Sequence, residues 1–360
     1  MNEKYMQTAL DLAVKGCGFV NPNPMVGAVV VKNGEIIGCG YHQKYGEPHA
    51  ERNALKSCVQ SPKGATLYVT LEPCCHYGKT PPCTEAIIES GIDTVVIGSR
   101  DPNPLVAGKG IEVLKSHGIN VVVGILEEEC LKLNEIFFYY IQKKAPFAAI
   151  KYAMTMDGKI ATSAGESKWI TGEKAREHVH MLRNQYASIM VGVQTVIADD
   201  PLLNCRIENG ASPTRIICDT NLRIPVNSNM IRTAKEIPTL IAHSCENTEK
   251  VQYFSDLGCK IIKVEKKDGK ICLNRLFDKL YAEKIDSVLI EGGAEINYSA
   301  IKSGIVSKAY VYIAPKMIGG VSAKTPVGGM GISRLSDAVC FSAPKIKFLG
   351  EDVLLEYDLR

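Results

Sequence analysis

Four residues near the start of the chain have types and spacing suited to metal chemistry. His49 and Glu51 are separated by one alanine in PHAERNALKSC, and Cys74 and Cys83 bracket a short loop in EPCCHYGKTPPC. Zinc prefers thiolate and imidazole ligands, and a catalytic zinc keeps three protein ligands and one position open to water. His49, Cys74 and Cys83 make up such a set. Glu51, two residues from the histidine, suits a proton carrier better than a ligand. Cys75 competes with Cys74 for the metal; Cys74 is preferred because it directly follows Pro73, and Cys75 is expected to point away. Together these residues predict a metal-bound water with a proton carrier beside it.

Such a set works only if the surrounding elements bring it together. Apolar residues at helical spacing predict a helix over residues 3 to 14, followed by strands over 26 to 31 and 35 to 42 with Asn33-Gly34 as the turn. His49 stands where the next helix begins. ATLYVTLE reads as a buried strand ending just before Cys74, and CTEAIIESG as a helix beginning at Cys83. All three ligands should therefore gather at one end of a sheet. A strand at TVVIG, a helix at GIEVLKSHG and a strand at INVVVGI continue the alternation, which favours a layered α/β fold. One long amphipathic helix is expected over EEECLKLNEIFFYYIQKK, residues 127 to 144, with a linker at KKAP. The domain boundary is placed near residue 145, giving domains 1–145 and 146–360. The second half again alternates, with strands at FAAIKYAM, ASIMVGV, TRIICD, IPTLIAH, DSVLIEGG, SKAYVYIAP and DVLLEYDL and a helix at GEKAREHVHMLRNQY.

The 360 residues suit two domains, and 46% hydrophobic with 22% charged residues is the balance of a globular protein. A net charge of +3 without a basic stripe argues against a nucleic-acid partner and for small ligands. The N-terminus lacks the pattern of a signal or transit peptide, and no apolar run is long enough to span a membrane. A cytoplasmic location with reduced cysteines is expected.

The order His-Ala-Glu, a strand-length gap, then Pro-Cys with a further cysteine matches the signature of zinc nucleobase deaminases, with a longer loop between the cysteines than the simplest form. More specifically, NPNPMVGAVVV, GCGYHQKYGEPHAE, LEPCCHYGKTPPC and DPNPLVAGKGI resemble the deaminase domain of the bifunctional riboflavin-biosynthesis deaminase-reductase family. Cys75 departs from that pattern, where a small hydroxyl residue is common. The resemblance implies a cytidine-deaminase-like domain holding one Zn2+, and a substrate that is a 2,5-diaminopyrimidinone with a phosphoribosylamino group, losing its 2-amino group as ammonia. It also implies that Asn23 and His42 line the base pocket, and that His76, Lys79, Thr80 and Asn103 contact ribose and phosphate. For Lys79 the bland alternative is a solvated surface charge, and for Asn23 and Asn103 an ordinary turn.

In the second half no G-x-G-x-x-G follows a strand, so a Rossmann site is not indicated. Gly292-Gly293 between a strand and a helix offers a different phosphate cradle, or simply a tight turn. KYAMTMDGKIAT, ESKWITG, VGVQTVIADDPLLNCR, IEGG and YIAPKMIGG resemble the reductase half of the same family, so the likeness spans nearly the whole chain. It implies a dihydrofolate-reductase-like domain that uses NADPH to reduce the ribosyl group to an open ribityl chain. On that likeness Ala153, Trp169, Thr195, Asp199, Thr220, Gly293, Ala294 and Glu295 contact the cofactor. Ser167, Arg183, Leu203, Arg206 and Glu291 contact the substrate, and Lys151 assists proton transfer at the opening sugar. The blander alternatives are a solvated Lys151, a core Trp169, and Asp199-Asp200 as a helix end; Arg223 is a guess for the 2′-phosphate of NADPH. The likeness also implies self-association. The rival functions are a cytidine or tRNA adenosine deaminase, disfavoured by the GKTPPC loop and DPNP turn, and a structural-zinc binding protein, which would close its site with four ligands.

Overall fold

The computed structural model describes residues 2–77, 81–103 and 106–360, and the chain divides into two compact units, Met1–Lys144 and Ala145–Arg360. In the first unit the elements run α1 (Glu3–Ala13), β1 (Gly27–Lys32), β2 (Glu35–Tyr41), α2 (Ala50–Lys56), β3 (Thr66–Leu71), α3 (Cys83–Glu89), β4 (Thr94–Ser99), α4 (Lys109–Ser116), β5 (Asn120–Val123), α5 (Glu127–Leu133) and α6 (Glu135–Lys143). The sheet order is β2-β1-β3-β4-β5. β1 is antiparallel to both its neighbours, while β3, β4 and β5 are parallel. Residues along β1 alternate between two cores. Val29 and Val31 join Met6, Leu10 and Cys130 on one face, and Ala28 and Val30 join Ala54, Ile87, Leu114 and Phe137 on the other. The result is a helix–sheet–helix sandwich.

Two glycines set how closely α2 approaches. A Cβ on Gly38 would lie 2.5 Å from Ala54 O, and one on Gly40 would lie 2.4 Å from Ala54 N. Such separations are below any van der Waals contact, so α2 rests backbone to backbone on β2. This fixes the helix that begins beside His49.

The single helix expected over residues 127 to 144 is two helices, broken at Asn134, where φ is −109° and ψ 25°. The apolar period runs unbroken through the sequence. The Asn134 side chain, however, is drawn into hydrogen bonds with the distant Met25 backbone, and the helix turns there.

The second unit contains β6 (Phe147–Thr155), α7 (Glu173–Gln185), β7 (Ser188–Gly192), α8 (Val193–Asp199), β8 (Thr214–Cys218), α9 (Asn229–Arg232), β9 (Thr239–His243), α10 (Thr248–Asp256) and β10 (Lys260–Lys263). It continues with a small ribbon, β11 (Lys266–Lys267) and β12 (Lys270–Ile271), then α11 (Leu273–Ala282), β13 (Ser287–Ile290), α12 (Ala294–Lys302), β14 (Val306–Ala314), β15 (Lys345–Leu349) and β16 (Asp352–Asp358). The main sheet has the order β10-β9-β8-β7-β13-β6-β14-β16-β15. It is parallel from β10 to β14, and β16 and β15 add antiparallel strands at one edge. Cores cover both faces: Met190, Ile216, Phe277 and Ile290 on one, Ile189, Ile217, Met230 and Phe254 on the other. Among the described residues no helix is long and apolar enough to cross a membrane.

Candidate functional site

His49 is the residue before α2, Cys74 follows β3, and Cys83 opens α3. Their ligand atoms lie within 4.8 Å of one another. His49 Nδ1 is 3.5 Å from Cys74 Sγ and 3.4 Å from Cys83 Sγ. Bond lengths of about 2.3 Å to sulfur and 2.0–2.1 Å to nitrogen, at tetrahedral angles, place such atoms roughly 3.5 Å apart, so the triad fits zinc. Among the described residues the cluster has these three members, and Cys75, half-buried, stands outside it.

The local electrostatics also favour a cation. Cys74 is the more acidic thiol, held down to about 4 chiefly by a hydrogen bond with the Cys83 thiol and then by His49, against the effect of burial. The Cys83 backbone N–H also donates to Cys74 Sγ at 3.3 Å. Burial and then the Cys74 charge raise the Glu51 pKa, and Glu51 is only 3% exposed.

A cavity of about 250 Å³ opens in front of the triad, and Asn23, Pro24, His42, His76, Asn103 and Phe137 are among its walls. His42 Nδ1 lies 3.2 Å from Pro48 O and its Nε2 3.2 Å from Asn23 Nδ2. A carbonyl can only accept and an amide N–H₂ can only donate, so His42 carries its proton on Nδ1 and is neutral. Its burial, which lowers the pKa, agrees. The buried Nδ1 of His76 has no hydrogen-bond partner among the described residues. The structure thus brings Asn23, His42, His76 and Asn103 around the triad; Lys79 and Thr80 lie outside the described residues.

Sequence reasoning missed Glu72. Its carboxylate accepts backbone N–H groups from Asp101 at 3.4 Å, Gly108 at 3.1 Å and Ile111 at 3.3 Å, tying the loop that bears Asn103 to the strand that leads into Cys74. Asp101 beside it is pushed up to about 6, mainly by burial, with Glu72 and Cys74 adding to the rise. The Glu-Pro-Cys order was visible, but its loop partners, tens of residues away, were not.

The second unit gathers a charged cluster. Ile290 pairs with Ile150 in adjacent strands, which sets the next residues, Glu291 and Lys151, side by side. Lys151 Nζ is 3.2 Å from Glu291 Oε2, and Arg183 grips both carboxylate oxygens from Nε at 2.8 Å and Nη2 at 3.0 Å. Burial opposes ionisation of Glu291, yet Arg183 and Lys151 hold its pKa down to about 2. Lys151 is therefore paired and largely buried rather than solvated, and it lies 5.7 Å from the centroid of the Tyr312 ring. Arg183 Nη1 also donates to Asn204 O, tethering the segment with Leu203 and Arg206.

The residues that the resemblance assigns to the cofactor are more scattered. Gly293 precedes α12, Ala294 and Glu295 form its first turn, and the Gly293 N–H donates to Thr195 Oγ1 at 3.3 Å. Among the described residues no side chain caps the N-terminus of α12. Trp169 is 63% exposed and stacks on Arg176 at 4.8 Å, so it is not a core residue. Asp199 ends α8, Thr220 follows β8, and Ala153 sits within β6. Among the described residues no hydrogen bond joins these three, or Ser167, to the Lys151–Glu291–Arg183 cluster.

Comparison with known proteins bears on both units. Residues 1–99 match the family model described as the cytidine and deoxycytidylate deaminase zinc-binding region, and residues 146–355 match the RibD C-terminal domain. The chain is 52% identical over 353 residues to the riboflavin biosynthesis protein RibD of Actinobacillus pleuropneumoniae, covering 98% of this chain and 94% of that one. To the Escherichia coli protein of the same name it is 37% identical over 367 residues, covering 98% of each. A solved structure from Thermotoga maritima, described as a diaminohydroxyphosphoribosylaminopyrimidine deaminase/5-amino-6-(5-phosphoribosylamino)uracil reductase, is 40% identical with a TM-score of 0.88, covering 99% of this chain and 98% of that one.

Proposed function

The chain belongs to the RibD family of riboflavin biosynthesis, a deaminase and a reductase on one polypeptide, and from that premise we propose which residues carry each reaction. The first unit has the cytidine-deaminase-like fold and the second the dihydrofolate-reductase-like fold of RibD reductases. Our reading assigns residues up to Lys144 to deamination and those from Ala145 to reduction. The substrate proposed for the first step is a 2,5-diaminopyrimidinone bearing a phosphoribosylamino group, and the second step reduces its ribosyl carbon to the ribityl chain.

The observation that carries the deaminase half is a three-donor set beside a buried Glu51, opening on a cavity of base size. His49, Cys74 and Cys83 would hold a zinc ion, which when bound would supply the Lewis acidity for water attack. Glu51, its pKa raised by burial, takes one proton from the attacking water and gives it to the ring nitrogen, then carries the proton of the newly added hydroxyl to the amine, which leaves as ammonia. Neutral His42, aligned by Asn23, faces the base, and the unpartnered Nδ1 of His76 is free to meet a ribose or phosphate oxygen. Lys79, Thr80 and Asn103 complete that contact. A three-donor set with no fourth protein ligand among the described residues disfavours a purely structural zinc.

In the reductase half NADPH would supply the hydride; the backbone at Gly293, Ala294 and Glu295 would receive its phosphates, and Ala153, Trp169, Thr195, Asp199 and Thr220 would contact the rest of it. Ser167, Leu203 and Arg206 hold the substrate phosphate and sugar, and Arg183, its fork taken by Glu291 and Asn204 O, borders that site and orders it. Glu291 fixes Lys151, whose ammonium gives a proton to the ring oxygen as the sugar opens. A cytoplasmic setting suits cysteine ligands that must stay reduced, and self-association, proposed on family grounds, is read by sedimentation.

The test follows ammonia release and NADPH oxidation by zinc-loaded protein given the diaminopyrimidinone, beside Glu51→Gln. Ammonia lost in the variant, and NADPH consumed only after deamination, supports both halves and their order. Wild-type protein that binds zinc and releases no ammonia refutes the deaminase assignment.

A further inference from the structure

We propose that Asn134 is a positioning residue for the base pocket of the deaminase site; the proposal rests on the reading of that site given above. Asn134 stands at the break between α5 and α6, 2% exposed. Its side chain clasps one distant residue at both main-chain groups: Met25 N donates to Asn134 Oδ1 at 2.8 Å, and Asn134 Nδ2 donates to Met25 O at 2.9 Å. The primary amide thus stands in for a neighbouring strand, satisfying a donor and an acceptor of a chain segment that has not yet entered the sheet.

That segment is the wall of the cavity. Pro24 and Val26, on either side of Met25, both line it, and Asn23 bonds the His42 ring. On either side the chain is fixed by Asn23 N to Val20 O and by His42 N to Val26 O. Pro24 has no N–H to give. The middle of the wall is held by Asn134. Phe137, in the first turn of α6 just after the break, also lines the cavity. Asn134 therefore holds one lining segment directly and stands at the helix break that leads into another lining residue.

The chemistry is particular to asparagine. An aspartate has the same shape but turns an acceptor towards the Met25 carbonyl, and alanine removes the partner of both Met25 groups in a partly buried site. The test uses full-length, zinc-loaded Asn134→Asp and Asn134→Ala beside wild type. Ammonia release gives KM and kcat for the diaminopyrimidinone, hydrogen exchange reads the Met25 amide, and metal content and NADPH oxidation with the deaminated intermediate report on the rest of the chain.

A displaced wall raises KM and lowers kcat/KM by about ten- to a hundredfold. The Met25 amide then exchanges faster, with zinc content and NADPH oxidation unchanged. A merely structural role lowers kcat in step with the folded or metal-loaded fraction at constant KM, and that result overturns the proposal. So do variants kinetically indistinguishable from a wild type that turns over. A wild type releasing no ammonia removes the deaminase reading itself and this proposal with it, which separates the two failures.

Discussion

Glu51 is buried beside the ligand triad, and that burial raises its pKa from the ordinary carboxylate value. Replacing it by Gln keeps the shape and removes the base. Deamination should fall by about 10²- to 10⁴-fold, measured as ammonia release at saturating substrate, while zinc content stays at the wild-type level. Glu291 gives a prediction of the opposite sign. Its folded pKa, about 2, lies below the ordinary 4.5 because Arg183 and Lys151 outweigh burial, so its contribution is fully present above the ordinary value and is lost as pH falls through about 2. Urea unfolding of the wild type should show a loss of up to about 3 kcal/mol over that window, absent in Glu291→Gln. A wild type and variant with the same acid dependence would show that the cluster does not stabilise the fold. Of these two carboxylates, the place of Glu51 beside the triad was legible because its neighbouring histidine is two residues away. Glu291 was legible only by resemblance, since its partners Lys151 and Arg183 lie more than a hundred residues back and are joined to it by strand register.

The order of helices and strands around the metal site was readable, because each ligand stands where an apolar period begins or ends: His49 before α2, Cys74 after β3, Cys83 at the head of α3. The break at Asn134 was not, because the apolar spacing of residues 127 to 144 is continuous and the interaction that bends it is with Met25. The edge strand β15 was also missed; its sequence, KIKFL, is short, and four of its five residues are exposed. How tightly α2 seats on β2 likewise required coordinates. Gly40→Val would put a Cβ within 2.4 Å of Ala54 N, so α2 must move and take His49 and Glu51 with it. The expected result is about 1–3 kcal/mol of lost stability by thermal denaturation. Zinc retention on dialysis should fall at least severalfold; unchanged retention would mean that the helix seat is not what places His49.

At the level of the molecule, the metal donors lie entirely in the first unit and the Lys151–Glu291–Arg183 cluster entirely in the second. Chelation should therefore abolish ammonia release and leave NADPH oxidation on supplied deaminated intermediate near its starting rate. Equal loss of both rates would contradict separate chemistry in the two units. The Asn134 clamp has a further consequence for how the protein is made. During synthesis every metal donor has been added once Cys83 is in place, whereas the residue that shapes the base pocket is added only after α5. Domains generally fold as units from the N-terminal side as the chain emerges. Ribosome-stalled chains ending before Asn134 should hold zinc without binding a pyrimidine, and those ending after α6 has cleared the tunnel should do both. The nascent enzyme then acquires its reactive centre before its selectivity.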